Sequence, residues 1–278
     1  MYNNRIVEQK LDRDEIISAL EGLGAPADVR FFETTDSTNT RVTEMFSQGN
    51  RPPFCVVAAE QTKGRGRLSR TWFGKRDCVL CISVAAELPK DAAAISSFTV
   101  RCGLRVCEEL SKACGAKLFL KWPNDIYSAE GGKIAGMLSE LKPLSAEECH
   151  LAVLGVGVNC DFSLVPPFMI PEKIRETACD LASVSETPLT INTVAAIVAK
   201  AVYDTSAETD FSGLPEKFKD FDWLEGREIS VDCGGETLSG SAAGVDASGR
   251  LGLRAQNGEI SYLSALEATI IKKPETSA

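Results

Sequence analysis

The sequence predicts a large domain that mixes helices and strands, residues 1–223, followed by a small all-β barrel, residues 224–278. Two observations carry that reading. From Asp91 to Ala113 the apolar residues Ile95, Phe98, Cys102, Val106 and Leu110 recur at helical spacing, with strand-like runs on either side. After Trp223 the composition shifts: residues 224–278 hold eight of the 22 glycines, which separate short alternating runs. Many short strands at regular turn spacing are the mark of a barrel. A chain of 278 residues can bury about three-quarters of its unfolded surface, so neither a metal nor a disulfide is needed to hold it.

The elements follow in order. Asp12 with Glu15 is a capping-box pattern opening a short helix over residues 12–23, before Gly24. Residues 29–33 read as a strand, and 37–48 as a helix capped by Asp36 or Ser37 and stopped at Gly49. Residues 54–60 and 78–86 are apolar and strand-like; the segment 61–77 between them has no apolar period. The long amphipathic helix comes next, then a meander of three strands, 117–121, 133–141 and 149–159. Residues 171–222 read as helical, most strongly 191–203, and the clearest barrel strands are 228–231, 251–255 and 260–263.

Composition excludes several classes. Hydrophobic content of 44% and charged content of 25% are average for soluble globular proteins, which rules out a disordered or fibrous chain. Thirty Lys and Arg against 39 Asp and Glu leave a net charge of −9, so no general attraction to nucleic acid or anionic lipid is expected. No run reaches the ~18 apolar residues of a membrane helix. Residues 1–30 carry four basic and six acidic side chains and no apolar segment, unlike a signal peptide, and a cytoplasmic protein is expected. The ten cysteines lie mostly in apolar runs, as small hydrophobes do in a reducing compartment. Cys78 and Cys81 form one C-x-x-C, whose sulfurs an extended strand would send to opposite faces. His150 is the only histidine, so neither a metal site nor a Ser-His-Asp triad is expected.

Chemistry concentrates in four places. From Glu60 to Arg76 there are six basic residues and one acidic, a local charge of +5. Gly64 and Gly66 there allow positive φ and let N–H groups turn toward an anion, while Arg65, Arg67 and Arg70 offer fixed forks of donors. Trp72 beside them could stack on a base or an arginine, or belong to the core. Pro123 must end the strand at Trp122, clustering Lys121, Asn124 and Asp125 at its end, either as a site or as a plain turn. Lys133 opens a strand that contains Gly136, where a ligand or another backbone comes close. In residues 154–159, period-two alternation puts Gly155, Gly157 and Asn159 on one face, stripped of side chains, against which a flat ligand or a helix could lie.

With Ser37-Thr38-Asn39 opening the first such helix, these pieces in this order closely resemble the biotin–protein ligases. The matching segments are Ser37-Thr38-Asn39, Gln61 with Gly64-Arg65-Gly66-Arg67, Arg70 and Trp72, then Lys121 through Asp125, Gly132 through Gly136, and Gly155 through Asn159. The resemblance spans roughly residues 30–271. It implies an α+β fold like class II tRNA synthetases, a mixed, mostly antiparallel sheet with helices on one face, plus an SH3-like C-terminal barrel. It implies that biotin's carboxylate attacks the α-phosphate of ATP to give biotinyl-5′-AMP and pyrophosphate, after which a lysine of a biotin carboxyl carrier protein displaces AMP. Both steps gather negative charge, which preorganised cations stabilise; Mg²⁺ would be held mainly by phosphates.

By position, the resemblance places biotin on Ser37, Thr38, Asn39, Gln61, Arg65, Gly66, Arg67, Lys133, Gly155 and Gly157. The nucleotide falls to Arg67, Arg70, Trp72, Lys133 and Asn159, and the reaction to Lys133, Arg67, Lys121, Asn124 and Asp125. The basic loop should order over the intermediate and exclude water. Family members occur as monomers and dimers, with or without an N-terminal DNA-binding domain; the roughly 30 residues before the first motif are too few and of the wrong net charge for one, so a ligase without repressor activity is expected. Departures from the commonest pattern fall at Asp161, at Gly74-Lys75 and at residues 264–267, and bear on loop closure and carrier docking. A lipoate or octanoate ligase or transferase of the same superfamily, or a biotin sensor without catalysis, are the competing readings. Biotin-dependent exchange of pyrophosphate into ATP separates them.

Overall fold

The computed structural model describes residues 10–76, 78–143, 149–265 and 268–271. A seven-stranded sheet organises the larger part. Its strands are β1 (Val29–Thr35), β2 (Phe54–Gln61), β3 (Val79–Pro89), β4 (Leu118–Lys121), β5 (Asp125–Ser128), β6 (Lys133–Pro143) and β7 (Cys149–Asn159). They lie in the order β1-β2-β3-β7-β6-β5-β4. Only β1 and β2 run parallel; the remaining pairs are antiparallel. The mixed, mostly antiparallel α+β architecture expected from the sequence is therefore present.

Helix ends follow side-chain chemistry. In α1 (Arg13–Gly22) the Asp12 carboxylate takes the N–H groups of Asp14 and Glu15, while Asp12's own N–H donates to Asn192 at 2.9 Å. The long helix α3 (Ala92–Cys114) starts where Asp91 accepts from Ala94 and stops at Gly115, whose φ of 76° suits glycine alone. Residues 171–222 break into α4 (Glu172–Thr177), α5 (Leu181–Val184), α6 (Ile191–Ser206) and α7 (Leu214–Lys219).

The helices do not all share one face. Leu154, Val156 and Val158 of β7 join α3 and α6 in the main core. Helix α2 (Thr38–Ser47) packs on the opposite face, its Val42 meeting Phe54, Val56, Leu151 and Val153. Alternation along β7 thus serves two layers at once, and α2 covers only half of its face. The uncovered half holds the site.

The C-terminal strands β8 (Glu228–Cys233), β9 (Glu236–Val245), β10 (Leu251–Arg254), β11 (Ile260–Leu263) and β12 (Ala268–Ile270) form a second, antiparallel sheet in the order β11-β10-β9-β8-β12. It shares the main core through Ile229, Val231 and Leu251. The buried Trp122 indole reaches across to donate to the Gly249 carbonyl at 3.0 Å. The departure from the family pattern over residues 264–267 falls partly on Leu266 and Glu267, which lie outside the described residues.

Two local expectations change. The three-strand meander has a fourth member, β5, because Trp122, Pro123 and Asn124 form a tight turn that pairs Lys121 with Asp125. Cys78 and Cys81 do not diverge: Cys78 precedes β3, escapes its pleat, and is buried with Cys81 in one small cluster. All ten cysteines are free thiols, and burial pushes that of Cys81 up to about 12. No helix among the described residues is long and apolar enough to cross a membrane.

Candidate active site

A cavity of about 480 Å³ opens on the half-covered face of the large sheet. Its floor is β7, β6 and β3, its upper end the start of α2, one wall the basic loop, and the far end α4 with Thr269 of β12. Every residue assigned to a site from the sequence lines it, Lys121 excepted. Lys121 shares a sheet face with Asp125, its ammonium 5.1 Å from the Tyr127 ring centroid, and is not among the lining residues.

The upper end is neutral and buried. Ser37, Thr38 and Asn39 are 3–5% exposed. Ser37 caps α2 through its backbone only, with no side-chain cap bond, which leaves its hydroxyl to the cavity. Thr38 donates to Gln61 Oε1 from its N–H at 2.8 Å and from its hydroxyl at 3.1 Å. Gly155 explains how Asn39 fits, since a Cβ there would strike the Asn39 carboxamide. Gly157 does the same for Trp72, whose indole lies against the strand, and Gly136 for Trp72 and the Lys133 ammonium. The stripped face is thus occupied by two side chains of the protein itself.

The lower end is cationic. Lys133 Nζ sits 2.7 Å from Asp125 and 5.3 Å from the Trp72 ring, half-buried. Arg67 donates to the Ala265 carbonyl at 2.8 Å and to Asn124 at 3.3 Å, so the loop touches the turn that follows β11. Burial pulls the Arg67 pKa below its ordinary value, while Asp125 opposes that shift and Arg70 adds to it. Asn124 in turn donates to Met137 O at 2.8 Å, fixing the turn against β6. Asn159, 4% exposed, spends its amide on the carbonyls of Lys133 and Cys179. It ties the chain after α4 to the floor.

The basic loop is folded back on itself. Gln61 bridges Gly74, Arg65 bridges Thr71, and Trp72 N–H donates to Gly64 O at 2.9 Å. The glycines do not supply positive φ here; Leu68 and Ser69 do, at 54° and 58°. Gly64 is needed because a Cβ would meet Trp72 O at 2.5 Å, and the Gly66 N–H donates to Arg70 O rather than facing the cavity. Arg65 leans outward onto Glu140 at 3.0 Å.

Sequence reasoning passed over Lys173, Ile174 and Thr177. Their spacing puts them on one face of α4, and the Lys133–Ala178 bridge brings that helix to the cavity. Among the described residues the lining holds five cations, Arg65, Arg67, Arg70, Lys133 and Lys173, against the one carboxylate of Asp125, on a chain of net charge −9. The arrangement can hold a ligand that is neutral at one end and strongly anionic at the other.

Residues 31–159 match the Biotin/lipoate A/B protein ligase family. The chain is 27% identical over 272 residues to "Bifunctional ligase/repressor BirA" of Salmonella typhimurium, covering 92% of this chain and 80% of that protein. It is 26% identical to "Biotin--[acetyl-CoA-carboxylase] ligase" of Mycobacterium tuberculosis, over 88% of this chain and 89% of that one. Among solved structures, the biotin protein ligase of Aquifex aeolicus in complex with biotin and ATP superposes with a TM-score of 0.71 at 24% identity, covering 88% and 99%. That likeness shows the fold.

Proposed function

We propose that the chain is a biotin–protein ligase, joining biotin to ATP as biotinyl-5′-AMP and then to a lysine of a biotin carboxyl carrier protein. The observation that carries the reading is the cavity's polarity. Neutral donors and acceptors of the buried Ser37, Thr38 and Asn39 and the half-buried Gln61 sit at one end, and Lys133 and Arg67 at the other. The floor from Gly155 to Asn159 spans roughly 13 Å between them. A ureido ring carrying a carboxylate on a short chain has that polarity; a dithiolane ring would leave the neutral polar end unpaired. The names of the relatives and the ligands of the Aquifex structure favour the same assignment.

In the first step a biotin carboxylate oxygen attacks the α-phosphorus, the bond to the β-phosphate oxygen breaks, and pyrophosphate leaves. Lys133, steadied by Asp125, and Arg67 offset the charge that builds on the phosphate oxygens. Trp72 covers the nucleotide, Arg70 and Asn159 line its end, and Asn124 holds Arg67 in reach. In the second step the carrier's lysine nitrogen attacks the biotinyl carbonyl, AMP departs, and the amine proton passes to solvent. Mg²⁺ would screen phosphate charge. Asp125, the one carboxylate in the lining among the described residues, already holds Lys133, so such an ion would rest mainly on the phosphates. We read residues 1–223 as a class II synthetase-like catalytic domain and 224–278 as an SH3-like domain, a division that the two separate sheets support.

The test is exchange of labelled pyrophosphate into ATP. Exchange that requires biotin, with none on lipoate, is expected. Binding of biotin without exchange, and no mass gain on a carrier domain, would mark a sensor instead.

A further inference from the structure

Ser83 lies on β3 directly opposite Gly155 of β7, on the cavity face of the sheet, yet it is fully buried and lines no part of the cavity. Its hydroxyl oxygen is 2.6 Å from Asn39 Oδ1 and 2.6 Å from the Thr38 hydroxyl. A hydroxyl has one proton to give. Asn39 Oδ1 has none, so the Ser83 proton belongs to it. The Thr38 hydroxyl gives its own proton to Gln61 Oε1 at 3.1 Å, so the same Ser83 proton also faces the Thr38 oxygen at 2.6 Å. At its other end the Asn39 amide donates to Leu138 O and to Glu140, each at 3.3 Å. Both of those partners accept only, so a flipped carboxamide would face acceptors with an oxygen and Ser83 with the wrong group. The orientation of Asn39 is fixed from both sides.

We propose that Ser83 is a positioning residue for recognition of the ligand's ring: its single proton sets which way Asn39 faces and holds Thr38 against Gln61. The idea rests on reading the neutral end of the cavity as the biotin ring site. It adds a residue that never touches the ligand but decides what the ligand meets. In a dry environment a misoriented amide costs more than a missing one, because it presents like to like.

Ser83→Ala should raise the biotin dissociation constant about tenfold. The KM for ATP and the thermal midpoint should change little. A residue that only fills space would shift both substrates together, or neither. In an Asn39→Ala background the same substitution should have almost no further effect on biotin affinity, because the residue through which Ser83 acts is gone. Should Ser83→Ala fail to fold, Ser83→Cys keeps the volume with a weaker donor and should give an intermediate loss. Unchanged biotin affinity in a folded variant overturns the proposal, as does full additivity with Asn39→Ala. If the unmodified chain shows no biotin binding at all, the reading of the site fails instead.

Discussion

The floor of the cavity and its loop wall solve opposite problems. At the neutral end of the floor, Thr38 is bonded to Gln61 and Ser83, Asn39 to Ser83 and the Leu138 carbonyl, and both Thr38 and Asn39 are shielded from water. On the wall, Arg65 and Arg67 spend their donors on Glu140, Asn124 and the Ala265 carbonyl, partners at the rim. A preorganised floor gives selectivity because nothing must be reordered on binding. A wall whose cations hold exchangeable partners gives charge neutralisation that arrives only when a more anionic partner displaces them. The division of labour follows from burial: neutral groups can be kept dry at small cost, and guanidinium groups cannot.

The largest effect should come from Lys133→Ala, where floor and wall meet. It removes the ammonium that Asp125 positions and leaves that carboxylate beside the phosphates, so biotin-dependent exchange should fall by roughly 10²–10³. Arg67→Ala should cost about 10² in the same assay, and it should loosen the loop's tie to the turn that follows β11, seen as faster proteolysis after Arg70. A loss confined to biotin affinity in either variant would blur the comparison.

Outside both regions, Asp222 is a control. It is 8% exposed, and burial pushes its carboxyl up to about 7 despite an N–H from Leu224 at 2.8 Å. The folded chain therefore keeps a proton that the unfolded chain loses near pH 4. Stability is full below that and declines as pH rises through 7, by up to a few kcal/mol. Asp222→Asn should raise the thermal midpoint at pH 8, leave it unchanged at pH 4, and not alter exchange at pH 7. The smallest effect is Glu140→Gln, which weakens the latch on Arg65 while keeping its shape. That pair is half-exposed, so a two- to threefold rise in biotin KM, about 0.5 kcal/mol, is expected in steady-state assays.

Much of the floor was legible from alternation alone: Gly155, Gly157 and Asn159 do share a face. What the pattern could not say is what fills the stripped face, because the occupants, Asn39 and Trp72, come from distant segments. The loop was legible as a charge run but not as a folded hairpin, since its bridges and positive φ values leave no periodic trace and fall on Leu68 and Ser69 rather than on glycine. Lys121 was grouped with the site because a motif lists neighbours in sequence; its ammonium lies near the Tyr127 ring and it is not among the lining residues. Strand β5 is four residues long, too short to show a period. Ser83 gave no signal at all: a serine in an apolar strand reads as filler until its partners are seen.

The contrast between a fixed floor and a responsive wall is tested most directly by amide hydrogen exchange, read with and without biotin plus ATP. The account predicts that residues 62–73 slow markedly on adding both ligands, while the strand amides of residues 153–158 and 79–85 are already protected and change little. Equal slowing of strands and loop, or a loop indifferent to the ligands, would contradict it.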